Sequence, residues 1–423
     1  MNFLRILKKY FLTQIPANPC LSGMQKTQIH ADFPIKQSAT ICVQSATICV
    51  QKRLSKNLLL LRQNKGTVLI ISMWIMVILA LFAFGLAHRA FIELRLTRYY
   101  RDKIKADYLA EAAIVRAQFE LSKDTNEYDS LNERWANGYD FQKKEYFFKD
   151  IKLKDGNYTV GYNLSEEGAE PITIYGLSDE ERRLNINKCA ENKFLRQALV
   201  ILLSSLKVDN PDKLVSTLMD WIDQDKKTQE GDIEDSVFKN DVLRCPQELL
   251  DVLSFYYYKK ETLPKEEAEQ KAGEIFSKIK DNITVWGDGR VNINTASRTL
   301  LKTLFSICLV NNVEALTESE IDNLLDKIIS YRQGPDAQEL SEDDNYFTKP
   351  DPGYIIDTLG SYTELLTTGQ RNLISFLYAN QLITVKSDKF CIEAKGKVNN
   401  LSRTKKVIVS KVVPQKLLFY QNE

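Results

Sequence analysis

Between Asp220 and Asp235 the chain reads Asp-Trp-Ile-Asp-Gln-Asp-Lys-Lys-Thr-Gln-Glu-Gly-Asp-Ile-Glu-Asp, seven carboxylates in sixteen residues. A ligand set rich in oxygen and free of sulfur and imidazole suits a hard cation such as Ca²⁺, which takes six to eight oxygens at about 2.3–2.6 Å. Asp220, Asp223, Asp225, Glu230, Glu234 and Asp235 are the candidate ligands. Asp223, Asp225 and Glu234 fall on positions one, three and twelve of an EF-hand loop, but Lys227 and Thr228 occupy the places of its ligand and its turn glycine. The run is not an EF-hand, and a solvated acidic loop stays open as the alternative.

Other chemistry is thinly represented. His30 and His88 are the only histidines, and no Cys-x-x-Cys pair occurs, so a zinc site is not expected. Metalloprotease, nucleophile-elbow, phosphate-loop and dinucleotide fingerprints are absent, and no catalytic activity is expected. Asn292-Ile-Asn294-Thr-Ala-Ser followed by a helix has the outline of a helix-hairpin-helix module. Such modules bind DNA through a glycine hairpin, and the equivalent stretch Leu304–Asn312 has no glycine and no basic cluster after it. Nucleic acid is therefore not an expected partner. Cys189, Cys245, Cys308 and Cys391 follow at wide spacings that favour no particular disulfide pairing.

These residues need elements to hold them. Thr67 to Ala87 is an uncharged run, TVLIISMWIMVILALFAFGLA, long enough as a helix to span the ~30 Å of a bilayer's hydrocarbon core. Lys52, Arg53, Lys56, Arg62 and Lys65 precede it, which keeps the N-terminal end in the cytoplasm. Residues 1–66 carry ten Lys/Arg against Asp32, a net charge of +9, and the remaining 357 residues carry −8. That acidic remainder also disfavours nucleic acid. QSATICV is repeated at 37–43 and 44–50, which suggests a leader extended beyond a true start near Leu54 to Leu61.

One helix is expected from Thr67 to Ser122. Its lower half carries Ile104, Tyr108, Ala112, Val115 and Phe119 at 4-4-3-4 spacing, a stripe read as packing on the chain's own globular domain. Strands are expected at Tyr158–Leu164 and Ile172–Tyr175, and again at Lys389–Val398 and Lys405–Val413. The roughly 200 residues between lack strand patterns. They contain an echo, Arg183-Leu-Asn-Ile-Asn187 and Arg290-Val-Asn-Ile-Asn294, each leading into a helix. The reading is an α+β fold: an antiparallel α/β core at 123–183 and 385–423, interrupted at 184–384 by an all-α insertion of two related bundles, with a leader at 1–66 and the helix at 67–122.

Taken in order, several short motifs resemble the type II secretion system minor pseudopilin K (general secretion pathway protein K) family. They are Gly66-Thr67; Ala110-Glu-Ala-Ala-Ile-Val-Arg-Ala117; Asp179-Glu-Glu-Arg-Arg-Leu-Asn-Ile-Asn187; Asp220-Trp-Ile-Asp-Gln-Asp225 with Gly231 and Glu234-Asp235; Cys245-Pro-Gln-Glu-Leu-Leu-Asp-Val252; Val291-Asn-Ile-Asn-Thr-Ala296; and Thr384-Val-Lys-Ser387. The resemblance implies a pilin-like fold, cleavage after Gly66 by prepilin peptidase and methylation of Thr67. It implies Ca²⁺ in the acidic loop and a place at the tip of an inner-membrane pseudopilus with I-, J- and H-type minor pseudopilins and the major pseudopilin. It also implies a single-pass protein of the bacterial inner membrane, its C-terminal domain in the periplasm. The leader is longer than the family's, and Gly231-Asp-Ile-Glu234 has one residue more than its Gly-x-Glu. Five residues into the mature chain, Ile71 replaces the glutamate of most pilin-like subunits, and it marks a subunit that offers no carboxylate to a neighbour above. The alternative reading is a membrane-anchored helix-hairpin-helix protein that binds DNA at the envelope.

Overall fold

The computed structural model describes residues 66–141, 143–164, 172–224, 238–411 and 417–422. Two compact units meet within one helix, between Asp102 and Lys103. That helix, α1, spans Thr67–Ser122. In the N-terminal unit its apolar side chains stand exposed along the uncharged run, from Val68 to Leu86. The helix is long and apolar enough to cross a membrane.

In the C-terminal unit the rest of α1 lies on an antiparallel sheet. The short helix α2 (Arg134–Asn137) and the hairpin β1 (Tyr139–Asp140) and β2 (Glu145–Tyr146) come first. The sheet holds β3 (Ile151–Leu153), β4 (Gly156–Val160), β12 (Lys389–Val398), β13 (Leu401–Ser410) and β14 (Leu417–Asn422), in spatial order β14-β13-β12-β4-β3. The expected strand over 158–164 is divided. After β4, β5 (Tyr162–Leu164) leaves the sheet to pair with β6 (Ile172–Ile174). The break falls at Gly161, where a Cβ would lie 2.6 Å from the Ile174 carbonyl. β7 (Ser178–Asp179) then returns to β12.

The expected stripe on α1 is on the wrong side. The buried face is Ala106, Leu109, Ala110, Ala113, Ile114, Ala117 and Leu121, against Val160, Phe390, Ile392, Ala394 and Val407. Ile104, Tyr108 and Phe119 are 54%, 67% and 51% exposed on the opposite side, with Ala112 and Val115 half-buried between them. Alanines were chosen for the inside because the sheet comes so close. Opposite them β12 carries Gly396, where a Cβ would collide with the Ala106 carbonyl. Arg403 to Asp107 (3.1 Å) and Lys405 to Glu111 (2.6 Å) fasten one flank of the helix to β13.

The insertion has an apolar cluster of its own, from Leu184 to Val385. It is built twice. The first copy runs β8 (Leu184–Asn185), α3 (Lys193–Ser205), α4 (Pro211–Ile222), α5 (Leu249–Phe255), α6 (Lys265–Ile279) and β9 (Ile283–Thr284). The second runs β10 (Val291–Asn292), α7 (Arg298–Val310), α8 (Glu318–Gln333), α9 (Pro352–Tyr362), α10 (Thr368–Ala379) and β11 (Ile383–Thr384). Side chains start most of these helices: Asn192, Ser297 and Asp351 cap α3, α7 and α9, and Thr317 and Thr367 form capping boxes on α8 and α10. Each copy closes on itself through a two-residue parallel bridge, β8 with β9 and β10 with β11, too short for any sequence pattern to show.

Candidate functional site

Three of the motifs scattered along the sequence, at residues 179–187, 291–296 and 384–387, meet where the insertion joins the core. In each copy the first asparagine of the Asn-Ile-Asn pair accepts from the backbone N–H of the second, Asn185 from Asn187 and Asn292 from Asn294, both at 3.0 Å. The second asparagine then grips one distant residue by both backbone groups. Asn187 donates to the Leu243 carbonyl and accepts its N–H (2.9 and 2.9 Å), and Asn294 does the same to Phe347 (2.9 and 2.8 Å). Two of each asparagine's hydrogen-bonding sites are thereby satisfied, where an unmet buried polar group costs about 1–3 kcal/mol.

Asp179 stands at the centre of the joint. Its carboxylate accepts from Thr295 (2.6 Å), Ser387 (2.8 Å) and the Glu181 backbone (2.8 Å). Burial pushes its pKa up, against the pull of those donors. Beside it Asp129 accepts from Lys411 (2.7 Å) and from the Ser387 backbone (2.8 Å), and its carbonyl takes Asn292 and Asn294. Burial raises Asp129 to about 7 although Lys411 opposes it. Glu181, buried among Asp179, Asp288 and Asp388, is raised to about 9.

Asp124, Asp129 and Glu133 bring carboxylate oxygens within 4.8 Å of one another, a spacing that suits a cation. Lys411 supplies an ammonium there, 2.8 Å from Asp124 and 2.7 Å from Asp129. Sequence reasoning passed over this group; its three acids lie within ten residues of one another, but Lys411 is some 280 residues away. The Asp179, Asn292 and Ser387 positions did carry a signal, since each belongs to one of the short motifs. The joint is a polar weld between insertion and core.

The acidic run sits elsewhere. Asp220 is buried in the last turn of α4 and Asp223 is its C-cap, while Asp225, Glu230, Glu234 and Asp235 lie outside the described residues. Two carboxylates at a helix C-terminus face the negative end of its macrodipole. Their oxygens are the donor type a hard divalent cation takes, and such a cation would offset that cost. The two ends of the run are also held together: Asn240 donates to the Trp221 carbonyl (2.9 Å), and Trp221, Phe238 and Phe255 pack at 5.0–5.7 Å between ring centres.

Gly66 is exposed just before the helix and Thr67 is its first residue. Ile71 lies one turn on, 46% exposed. Cys189, Cys308 and Cys391 are buried free thiols, so no disulfide joins any two of them.

No family model matches the chain, and no curated protein matches it. Among solved structures, a chain of the GspK-GspI-GspJ complex of the Type 2 Secretion System from enterotoxigenic Escherichia coli is similar over 78% of this chain and 99% of that one, at 17% identity and a TM-score of 0.48.

Proposed function

We propose that the chain is a minor pseudopilin of a type II secretion system, of the K kind, held in the inner membrane by α1 with its C-terminal unit in the periplasm. The observation that carries this reading is α1 itself. One helix begins at the Gly66-Thr67 junction as an uncharged membrane-length run and continues as a water-facing element. Its inner face is satisfied by the chain's own sheet, and an apolar ridge is left outside, as a subunit that packs among other helices requires.

Prepilin peptidase would cut after Gly66, and the free amine of Thr67 would be methylated. A buried carboxylate five residues on would cost several kcal/mol unless a neighbour's ammonium met it. Ile71 avoids that demand and can be the first subunit in, with none above it, and the helical insertion then forms the cap. I-, J- and H-type minor pseudopilins and the major pseudopilin would assemble beneath. Asp220 and Asp223, with Asp225, Glu230, Glu234 and Asp235, would hold Ca²⁺, which supplies positive charge where the helix end and the carboxylates repel one another. The weld around Asp179 keeps the insertion fixed on the core.

The test is the N-terminal mass of the full chain co-expressed with and without a prepilin peptidase. A peptidase-dependent product that starts at Thr67 and is heavier by one methyl supports the reading. A chain unchanged by the peptidase removes it.

A further inference from the structure

A groove of about 610 Å³ opens between the two copies of the insertion, within the ~300–1,000 Å³ typical of small-molecule sites. The first copy lines it with Lys188, Glu191 and Asn192, just before α3, and the second with Asn380 and Gln381, just after α10. Asp288, Gly289 and Arg290, between β9 and β10, complete it. Gly289 has a φ of +97°, and a Cβ there would lie 3.0 Å from Leu195 and 3.1 Å from Lys188, so glycine lets this turn approach them. The charges cancel within the groove: Lys188 pairs with Glu191 (2.8 Å) and Arg290 with Asp288 (2.6 Å). Apolar lining is slight, since Leu195 is 2% exposed and the other apolar side chain there is the methyl of Ala379. The amides are oriented and only half used. Asn192 accepts from the Phe194 N–H (2.9 Å) and Asn380 donates to the Phe376 carbonyl (2.8 Å). Asn192 Nδ2, Asn380 Oδ1 and the Gln381 side-chain amide have no partner among the described residues.

We propose that this groove binds a short uncharged oligosaccharide. A sugar hydroxyl donates one hydrogen bond and accepts two, so its complement is a surface that sets donors beside acceptors. Here Asn192 Nδ2, Lys188 and Arg290 donate, Asn380 Oδ1, Glu191 and Asp288 accept, and Gln381 does both. A paired carboxylate keeps lone pairs to spare and a paired guanidinium keeps N–H groups, so hydroxyls can join the two ion pairs without breaking them. Zero net charge gives no preference to a polyanion or a polycation. A lining with almost no apolar surface offers little to an apolar ligand or to the side chains of a peptide. None of these residues belongs to α1, so the groove and the secretion reading stand or fall separately.

The probes are chitotriose and maltotriose, titrated into the full chain in neutral-lipid nanodiscs and followed by saturation-transfer difference NMR. The expected result is saturable binding of at least one trisaccharide with a Kd on the order of 1 mM, unchanged in high salt because the ligand carries no charge. Preference for chitotriose assigns the groove to N-acetylated glycans, and preference for maltotriose assigns it to plain glucans. Gln381→Leu and Arg290→Leu, both at exposed positions, should each weaken binding about fivefold. Lys149→Gln, in the core and outside the groove, should leave it unchanged. Absence of saturable binding of both sugars, or equal binding by the wild type and the two groove variants, overturns the proposal. Tighter binding of a polar tetrapeptide, Gly-Asn-Gln-Gly, than of either sugar assigns the groove to polypeptide and overturns it as well.

Discussion

The two faces of α1 differ in what satisfies them. The inner one, alanine after alanine, is closed by the sheet of the same chain, whereas the outer one keeps Tyr108 and Phe119 in the open. The acidic residues of the insertion's two copies also sit differently. In the second copy, the loop after α8 meets its own needs: Asp344 accepts the backbone N–H groups of Leu340 (2.7 Å) and Ser341 (3.3 Å), Ser341 donates to Asp343 (2.6 Å), and Arg332 pairs with Glu339 (2.9 Å). In the first copy, Asp220 and Asp223 crowd the negative end of α4.

The contrast can be broken in order of expected effect. Ala113→Trp drives a large ring into the helix–sheet contact and should cost about 2–3 kcal/mol, or roughly 2–4 °C of Tm for each kcal/mol. Differential scanning calorimetry of the full chain in detergent reads it. Asp223→Ala should lower Tm in Ca²⁺ and change little in chelator, because a ligand at a hundred times its Kd contributes about 2.7 kcal/mol. Equal losses in both conditions would remove the metal from the account. Asp344→Ala should behave in the opposite way and lose about 1–2 kcal/mol whether or not calcium is present.

Next comes the weld. Burial lifts Glu181 from 4.5 to about 9 and Asp129 from 3.8 to about 7, so the folded state holds protons more tightly than the unfolded chain. The stability these groups contribute is complete below their unfolded pKa values and is lost as pH rises through about 7 and about 9. Tm should therefore fall from about pH 4 to about pH 9, and Glu181→Gln should flatten the alkaline half of the curve. The smallest effect on stability belongs to Tyr108→Glu, within about 0.5 kcal/mol, since the side chain is 67% exposed.

Much of the frame was legible in the residues. The ends of α1 follow from an uncharged run and an unbroken helical period, and the doubling of the insertion shows in Leu-Asn-Ile-Asn187 and Val-Asn-Ile-Asn294. The rest of the echo, Ile283-Thr-Val285 against Ile383-Thr-Val385, is hidden because it repeats at 100 residues where the first pair repeats at 107. The misread face of α1 has a physical cause. Periodicity weighs large apolar side chains, and here a close-packed contact demanded small ones, which left the large ones outside. The Lys411 pairings depend on chain reversals across the whole insertion, and no local pattern encodes them.

The central claim is that the outer face of α1 exists for assembly. Benzoylphenylalanine can be placed at position 108 in cells that co-express the pseudopilins proposed as its partners. Position 258, similarly exposed on the insertion, serves as the control. The account predicts an adduct at 108 whose mass identifies a co-expressed pseudopilin, and none at 258. No such adduct at 108, with the protein folded and inserted, would contradict it.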